Sequence, residues 1–541
     1  MGKIVSIERL RIWLLVGAGL LVMVIAVFLG YAHYRAHRFI KDLPGKLGID
    51  ISQETNAFTY SQTAEGRTIF TIHAAKAVQR KDGKVTLHDV GIVLYGRKQD
   101  RADRIYGKEF EYDQKAGVIR AAREVHIDLQ APMATDAHGK AEYAAGKDLH
   151  GEGGKESTDD RLIHVRTSGL VFMRELGVAA TDQDVEFEFN GMNGFAHGAD
   201  YSSDTGLLVL HSAVKVNGLR DGRPVVLTAS RAELDRTNNR VTLAQAKYVS
   251  VGGAQTGGAE TAQAQRAVVH LRSDGGGVES LDAEGEVTLE RGDGGRVVAQ
   301  RANVAVSADG RAQAVRLYDG VRYSVDEPLR RAGGTAAEGR AAFDKKGRPE
   351  LVVLTGTVHL TEQVRAAATA AWNERELNSD QVELALGADA AGKAQLRDAK
   401  ASGRARLKMT DAGREKKGPV SSALAADVLT AHFVQIEGAT RITEGHGVGH
   451  TALQKVSETG AEDTSSGDTM DVRFRMTTVD GKESGAGRGT EEIATAVQQG
   501  NVVMTHKSAR RPGDTGVPTE QRATAQKAVY DGTTRWMTLT G

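Results

Sequence analysis

The chain has no cysteine, few prolines and few aromatic residues. The absence of cysteine from all 541 residues excludes disulfides, a thiol nucleophile and cysteine-ligated zinc. It is compatible with an oxidising compartment but does not establish one. Eight prolines beside 63 glycines indicate many tight turns between short strands, and they argue against a disordered linker.

The sequence also lacks net charge and motifs of catalysis. Lysine plus arginine and aspartate plus glutamate number 70 each, so charge gives no reason to expect nucleic acid as a partner. There is no phosphate-binding loop, nucleophile elbow or HExxH motif, and the frequent carboxylates are scattered. The sequence therefore predicts no enzyme, no catalytic residues, no cofactor and no nucleic-acid partner.

The histidines raise the question of a metal site. There are 16, and Glu444, His446 and His450 lie close together in the sequence. A histidine pair four residues apart suits zinc on a helix, but the glycines between them disfavour a helix. We therefore expect an ordinary polar turn or strand here, and no metal.

An uncharged apolar run covers residues 12–29 near the N-terminus. It is long enough to cross a bilayer as a helix, and it predicts a transmembrane helix over residues 12–32. A short cytoplasmic segment, residues 1–11, would precede it, and a linker, residues 33–57, would follow. A cleaved signal peptide is the alternative; the length of the run and the lack of a persuasive cleavage site favour the anchor. Basic residues flank both ends, so charge does not decide the orientation.

A repeated β-pattern fills the rest of the chain. Short stretches with period-2 alternation, bounded by glycine and aspartate, indicate half-buried strands. They form units that begin with Ala/Gly-x-x-Ala or a close variant, continue through a turn, and end in a second alternating strand. On the order of ten units of roughly 25–35 residues would share one core, since no single unit could bury its apolar face.

Small residues are expected to shape these units. Alanine and glycine at the unit start would let two β-layers approach closely. Glycines would serve at turns, bends or bulges. The candidates are Gly198, Gly206, Gly320, Gly356 and Gly500. A polar surface loop is expected near 456–468.

Three segments carry a family resemblance. Residues 195–201 (FAHGADY) and 203–216 (SDTGLLVLHSAVKV), behind a single N-terminal span, resemble the LptC family; residues 524–541 resemble LptA/OstA repeats. The resemblance implies an LptC-like β-domain over 58–250 and further OstA-like repeats over 251–541 that continue the same stack. The implied fold is all-β, an elongated twisted β-jellyroll or solenoid-like stack of antiparallel strands, preceded by one transmembrane helix.

The resemblance also implies a function and a location. The chain would be a single-pass inner-membrane protein with its large C-terminal domain in the periplasm, as part of the lipopolysaccharide transport machine. It would accept lipopolysaccharide from an inner-membrane ABC transporter complex and join an LptA-like bridge or an outer-membrane LptD-like protein by edge-strand addition. The extra length leaves open whether a separate bridge is needed. The end at Gly541 predicts either an open strand edge or a truncated record.

Inward-facing members of the alternating strands are the candidate lining of a lipid groove. Plain core packing is the competing interpretation for each of them. A structural or adhesive β-solenoid with a filled interior is the competing function. The candidates are Phe70, Ile72, Leu87, Ile92, Leu94, Phe110, Tyr112, Val125, Ile127, Leu208, Leu210, Val214 and Val216.

Overall fold

A computed structural model describes most of the chain after residue 50. The described residues are 51–64, 66–96, 102–129, 162–189, 191–220, 222–251, 259–273, 277–292, 294–365, 367–388, 394–412, 419–436, 439–477, 490–509, 519–534 and 536–541. The predicted anchor at 12–32 lies outside them. No helix that could cross a membrane occurs in these described ranges.

The described residues form an antiparallel, all-β structure, which confirms the predicted fold class at that level. The first strands are β1 (Ile51–Ala64), β2 (Arg67–Arg80), β3 (Lys84–Tyr95), β4 (Ala102–Asp113), β5 (Val118–Ala121), β6 (Val125–Leu129), β7 (Ile163–Thr167), β8 (Val171–Met173), β9 (Val178–Phe189) and β10 (Met192–Ser202). The next are β11 (Leu207–Arg220), β12 (Arg223–Ala229), β13 (Arg231–Asp235), β14 (Arg240–Ser250), β15 (Glu260–Leu271), β16 (Val278–Arg291), β17 (Gly295–Val306), β18 (Ala312–Tyr318), β19 (Val321–Glu327) and β20 (Arg330–Ala336). The last are β21 (Glu338–Phe343), β22 (Pro349–Val364), β23 (Asn373–Ala388), β24 (Ala394–Asp411), β25 (Val420–Ile436), β26 (Ala439–Val456), β27 (Glu462–Thr477), β28 (Thr490–Lys507), β29 (Glu520–Asp531) and β30 (Trp536–Thr540).

The chain divides into two compact units. One comprises Met1–Glu54 and Val78–Gly83, and the other Thr55–Ala77 and Lys84–Gly541. The described part of the first unit is the start of β1 and the end of β2 with its turn. All further description concerns the second unit.

Most of the long ladders of the second unit have two halves that meet at a corner. In the long strands the corner is a register shift, as between Asn378 and Gln381 where β23 pairs with β24. Elsewhere the strand is interrupted: β12 and β13 both pair with β11, and β18 and β19 both pair with β17. Such shifts and interruptions turn a strand and leave residues out of the ladder.

Glycine makes the corner possible in the long strands. Gly403 and Gly449 have φ of 81° and 74°, and the next residues, Arg404 and His450, have φ of 50° and 45°. Two successive left-handed residues require a position without a Cβ at the first of them. Gly356 and Gly500 each begin a turn of the same kind in their own strands, with φ of 79° and 77°.

The remaining predicted structural glycines also adopt positive φ. Gly198 has φ of 75° at a register shift between β9 and β10, and Gly320 has φ of 88° between β18 and β19. Gly206, with φ of 69°, closes the turn before β11. The loop expected near 456–468 is wrong in extent, because a tight turn closes at Ala461 and β27 begins at Glu462.

Cross-strand pairing aligns inward side chains into three continuous rows. The first row comprises Ile92, Ile105, Ile127, Val165, Phe187, Gly194, Val216, Leu227, Tyr248, Ala262, Leu289, Val297, Tyr323, Gly334, Leu360, Leu377, Leu407, Leu424, Leu453, Ser465, Met504 and Ala523. The second row, in the other half, comprises Val85, Tyr112, Ile119, Phe172, Ala179, Tyr201, Leu208, Leu234, Val241, Val269, Leu281, Val304, Val315, Ala341, Val352, Leu384, Ala399, Ala431, Gly445, Val472, Ala496, Tyr530 and Met537.

The corner row runs beside the second row, two residues nearer the corner. It comprises Ala199, Leu210, Ala232, Leu243, Ala267, Ala283, Ala302, Leu317, Gly339, Leu354, Val382, Ala401, Leu429, Gly447, Met470, Gln498, Ala528 and Leu539. Its alanines include second alanines of the repeated unit, among them Ala232, Ala302 and Ala528. Alanine and glycine make up half of the corner row, and larger side chains, mostly leucine, make up the rest.

The rows face a common interior. First-row Ile105 and second-row Phe172 belong to one packed cluster, which extends to Ala267. A smaller cluster contains first-row Leu377 and second-row Leu384. The interior is therefore enclosed by two half-sheets, each with an apolar inner face.

Candidate functional site: the apolar interior

Most of the residues that were predicted to contact lipid are buried in the protein interior. Phe70, Ile72, Leu87 and Ile92 have no exposed surface, and Ile127, the most accessible of the buried predicted residues, is 8% exposed. The others that are buried are Leu94, Phe110, Tyr112, Val125, Leu210 and Val214, while Leu208 and Val216 are half-buried. These residues share one packed interior, apart from Val216. Their contact with lipid stays a prediction.

Aromatic rings fill that part of the interior. Phe70 meets Phe172 edge to face, with ring centroids 5.3 Å apart, and Tyr60 lies 6.1 Å from Phe70. Arg174 donates hydrogen bonds to the hydroxyls of Tyr112 at 3.0 Å and Tyr60 at 3.4 Å. Burial raises the pKa of Tyr112. The Tyr112 hydroxyl oxygen accepts the hydrogen bond from the Arg174 guanidinium in this buried setting.

A buried ion pair lies at the edge of the same region. Arg236, just after β13, donates from Nη1 to Asp103 on β4 at 3.0 Å and to the hydroxyl of Tyr201 at 3.1 Å. Tyr201 in turn donates to Asp103. Both charged side chains are almost fully enclosed, at 2% and 1% exposure. Such a pair is costly to break, because the remaining charge would stay buried without its counterpart.

The interior becomes more accessible further along the first row. Leu289 is 42% exposed and Tyr323 is 40% exposed. The five leucines that follow are all half-buried: Leu360, Leu377, Leu407, Leu424 and Leu453. Apolar surface thus remains uncovered along five consecutive strands, β22 to β26.

The corner and second rows of β22 to β25 combine small side chains with the leucines Leu354, Leu384 and Leu429. Val382 and Ala401 of the corner row are buried, and Ala399 and Ala431 belong to the second row. Only a small cluster of buried residues forms here, and it leaves Leu360 and Leu377 partly covered. The first-row leucines here keep part of their surface exposed, whereas Phe70, Phe110 and Phe172 of the earlier strands are buried.

The sequence interpretation missed these leucines, although a signal for them exists. Four first-row leucines come four residues after the corner glycine of their own strand. They are Leu289, Leu360, Leu407 and Leu453, and the glycines are Gly285, Gly356, Gly403 and Gly449. The leucines on the intervening strands precede a corner aspartate by three residues, as Leu377 precedes Asp380. Alternation alone did not reveal this, because on β23 and β25 the corner changes which residues face inward.

The outer face carries charged and polar side chains. Histidine and aspartate pair across neighbouring strands, including His164 with Asp128 at 2.8 Å and His446 with Asp471 at 2.6 Å. A shallow cleft of about 770 Å³ crosses this face from β22 to β29, and its lining includes Asp398, His432 and Glu444.

His446 and His450, the histidine pair considered for a metal site, both lie on β26. His446 is bonded to Asp471, whereas His450 is bonded to Asp427 at 2.9 Å, so the two histidines have separate partners. Within the described ranges no three side chains of the metal-binding types converge on one point. These histidines serve as cross-strand pairs on the outer face.

Comparisons with known proteins add little. No protein-family model matches the chain. No curated protein matches it either. Among solved structures the chain is similar to the crystal structure of TcdB2-TccC3 without its hypervariable C-terminal region, at 8% identity and a TM-score of 0.07. The match covers 85% of this chain and 33% of that one. So low a score carries no argument about fold or function.

Proposed function

We propose that the chain binds the acyl chains of a membrane lipid along the half-buried leucines of the first row. The observation that carries this proposal is the uninterrupted apolar row from Leu360 to Leu453, which lies inside the sheet and yet remains partly uncovered. Burying alkyl groups there would contribute about 0.8 kcal/mol for each CH2 group removed from water.

The proposed cargo is lipopolysaccharide, and the proposed fold is a twisted β-jellyroll of the OstA type. Both rest on the resemblance of residues 195–216 and 524–541 to the LptC and LptA/OstA families. The two apolar half-sheets, joined at a corner of glycine and alanine, support the proposal because they form an interior that an acyl chain could enter. On this proposal the lipid-binding part extends into residues 251–541, beyond the LptC-like part.

The proposed setting is the periplasmic side of an inner membrane, with the chain anchored through residues 12–32. An ABC transporter would deliver lipopolysaccharide, and an LptA-like bridge or an LptD-like protein would receive it by strand addition. The chain has no nucleotide-binding motif, so a partner ATPase would supply the energy. Depletion of the protein in cells is expected to hold lipopolysaccharide at the inner membrane.

Photo-crosslinking tests lipid binding directly. A benzophenone amino acid at Leu407 is expected to capture lipopolysaccharide in cells. The matched control is Arg406, the exposed neighbour whose side chain points to the opposite face of β24. Equal capture at both positions would contradict an interior binding site.

A structural or adhesive β-solenoid without lipid cargo is the second candidate. The interior of β2 to β10 favours it, since the aromatic rings there are buried and pack against one another. On this alternative, Leu407 captures no lipid, and depletion leaves lipopolysaccharide export unchanged.

A further inference from the structure

Three buried polar side chains interrupt the apolar interior near its C-terminal end. They are Thr451 on β26, Ser465 on β27 and Gln498 on β28, with exposures of 1%, 7% and 6%. Ser465 is the single member of the first row that is neither apolar nor glycine, and Gln498 is the single such member of the corner row. We call these three residues the polar trio.

The polar trio is hydrogen-bonded across the interior. Gln498 accepts from the hydroxyl of Ser465 through Oε1 and donates from Nε2 to Oγ1 of Thr451 at 3.2 Å. Thr451 donates to the carbonyl of Gly467 at 2.7 Å. Gln498 lies on the corner-row half, whereas Ser465 pairs with Met504 on the first-row half. The Gln498 side chain therefore spans the space between the two halves.

A glycine makes room for this crossing. A Cβ on Gly467 would lie 2.8 Å from Cγ of Gln498, closer than two carbon atoms can pack. The glycine allows the glutamine to pass over the β27 backbone near the corner. Local sequence thus supports the placement of the amide inside the interior.

The apolar clusters stop on either side of the polar trio. The cluster that contains Leu377 ends at Leu429 on β25. A separate small cluster, formed by Val502, Ala525 and Ala528 with Met504 against it, begins on β28. The polar trio lies between them, where continuous packing would otherwise be expected.

We propose that the polar trio is a partition that ends the lipid-binding part of the interior. Alkyl chains would lie along the leucines of β22 to β26 and would not reach Met504. The inference rests on the proposed lipid-binding function. An alkyl chain that crossed this point would separate buried hydrogen bonds, and it could not replace them because it has neither donor nor acceptor.

The test uses two crosslinking positions in the purified full-length chain, with lipopolysaccharide as the probe. A benzophenone amino acid is placed either at Leu424, before the partition, or at Met504, beyond it. Each crosslinking position is placed in three versions of the chain: one with no other change, the double variant Gln498→Leu/Ser465→Ala, and the single variant Gln499→Leu. Gln499 is the exposed neighbour of Gln498, and its change controls for added hydrophobicity without touching the interior. The single change Gln498→Met serves as a second variant if the double variant does not give the native far-UV circular dichroism.

With the native interior and with Gln499→Leu, we expect strong labelling at Leu424 and background labelling at Met504. Opening the partition should raise labelling at Met504 towards the level at Leu424. Equal labelling at both positions in the native chain would overturn the partition while leaving lipid binding intact. Met504 labelling that stays at background in folded Gln498→Leu/Ser465→Ala and Gln498→Met variants would also overturn it. An unlabelled Leu424 would instead contradict the proposed function itself.

Discussion

Strands β2 to β10 and strands β22 to β26 have the same inward pattern but fill their interiors differently. In the first region the rows carry isoleucine, phenylalanine and tyrosine, and all of these side chains except half-buried Phe187 are buried. In the second region half-buried leucines pack against a smaller set of buried alanines and valines. The strand register therefore determines which side chains face the interior. The size of those side chains determines how completely they bury one another.

Truncation of a large side chain should affect the two regions unequally. Phe110→Ala is expected to destabilise the protein by about 3–5 kcal/mol, because it leaves a cavity in a closed core. Leu407→Ala should cost only about 1–2 kcal/mol, since the leucine is already partly in water. Chemical unfolding followed by circular dichroism measures both. Equal losses would remove the distinction between a sealed and an open region.

The buried ion pair makes a second difference between the regions. Asp103→Ala should cost about 3–5 kcal/mol, because it removes the carboxylate that the Arg236 guanidinium contacts in a buried site. An exposed pair on the second region provides the control: Asp398→Ala, which removes the partner of His432, should cost about 1 kcal/mol or less. A small loss for Asp103→Ala would mean that water reaches Arg236 and that this part of the interior is not closed.

The corner glycines should matter through their backbone conformation. Gly403→Ala places a Cβ at a φ of 81°, and it is expected to cost roughly 1–2 kcal/mol. Gly387→Ala is the matched control in the neighbouring strand, because a Cβ there meets nothing within 4 Å. We expect the control to change stability by less than about 0.5 kcal/mol. A tolerated Gly403→Ala would argue against the left-handed corner.

The smallest expected effect is a pH dependence at the corner. The hydrogen bond and charge of Asp427 raise the pKa of His450 above that of an ordinary histidine side chain. This pair therefore adds stability that is present below the unfolded pKa and is lost as the pH rises through the folded pKa. Nuclear magnetic resonance titration of the His450 ring measures the shift, and Asp427→Asn should remove it. An unshifted titration in the native chain would contradict the pairing.

Much of the fold could be predicted from the sequence, because period-2 alternation and glycine turns are local signals. The five predicted structural glycines all adopt positive φ. The open leucines could not be predicted in the same way. Leu360 and Leu377 become neighbours only once the register between β22 and β23 is known, and on β23 the inward alternation changes between Val382 and Leu377. Burial of Phe70 or Leu87 could be anticipated from the pattern, but not the density of packing around them.

The most direct test of the central claim compares crosslinking at equivalent first-row positions in the two regions. Ile127 and Leu377 both point inward, and His126 and Asn378 are their outward neighbours. We expect lipopolysaccharide to be captured at Leu377, and not at Ile127, His126 or Asn378. Capture at Ile127 equal to that at Leu377 would contradict the sealed region, and capture at Asn378 equal to that at Leu377 would contradict the interior site.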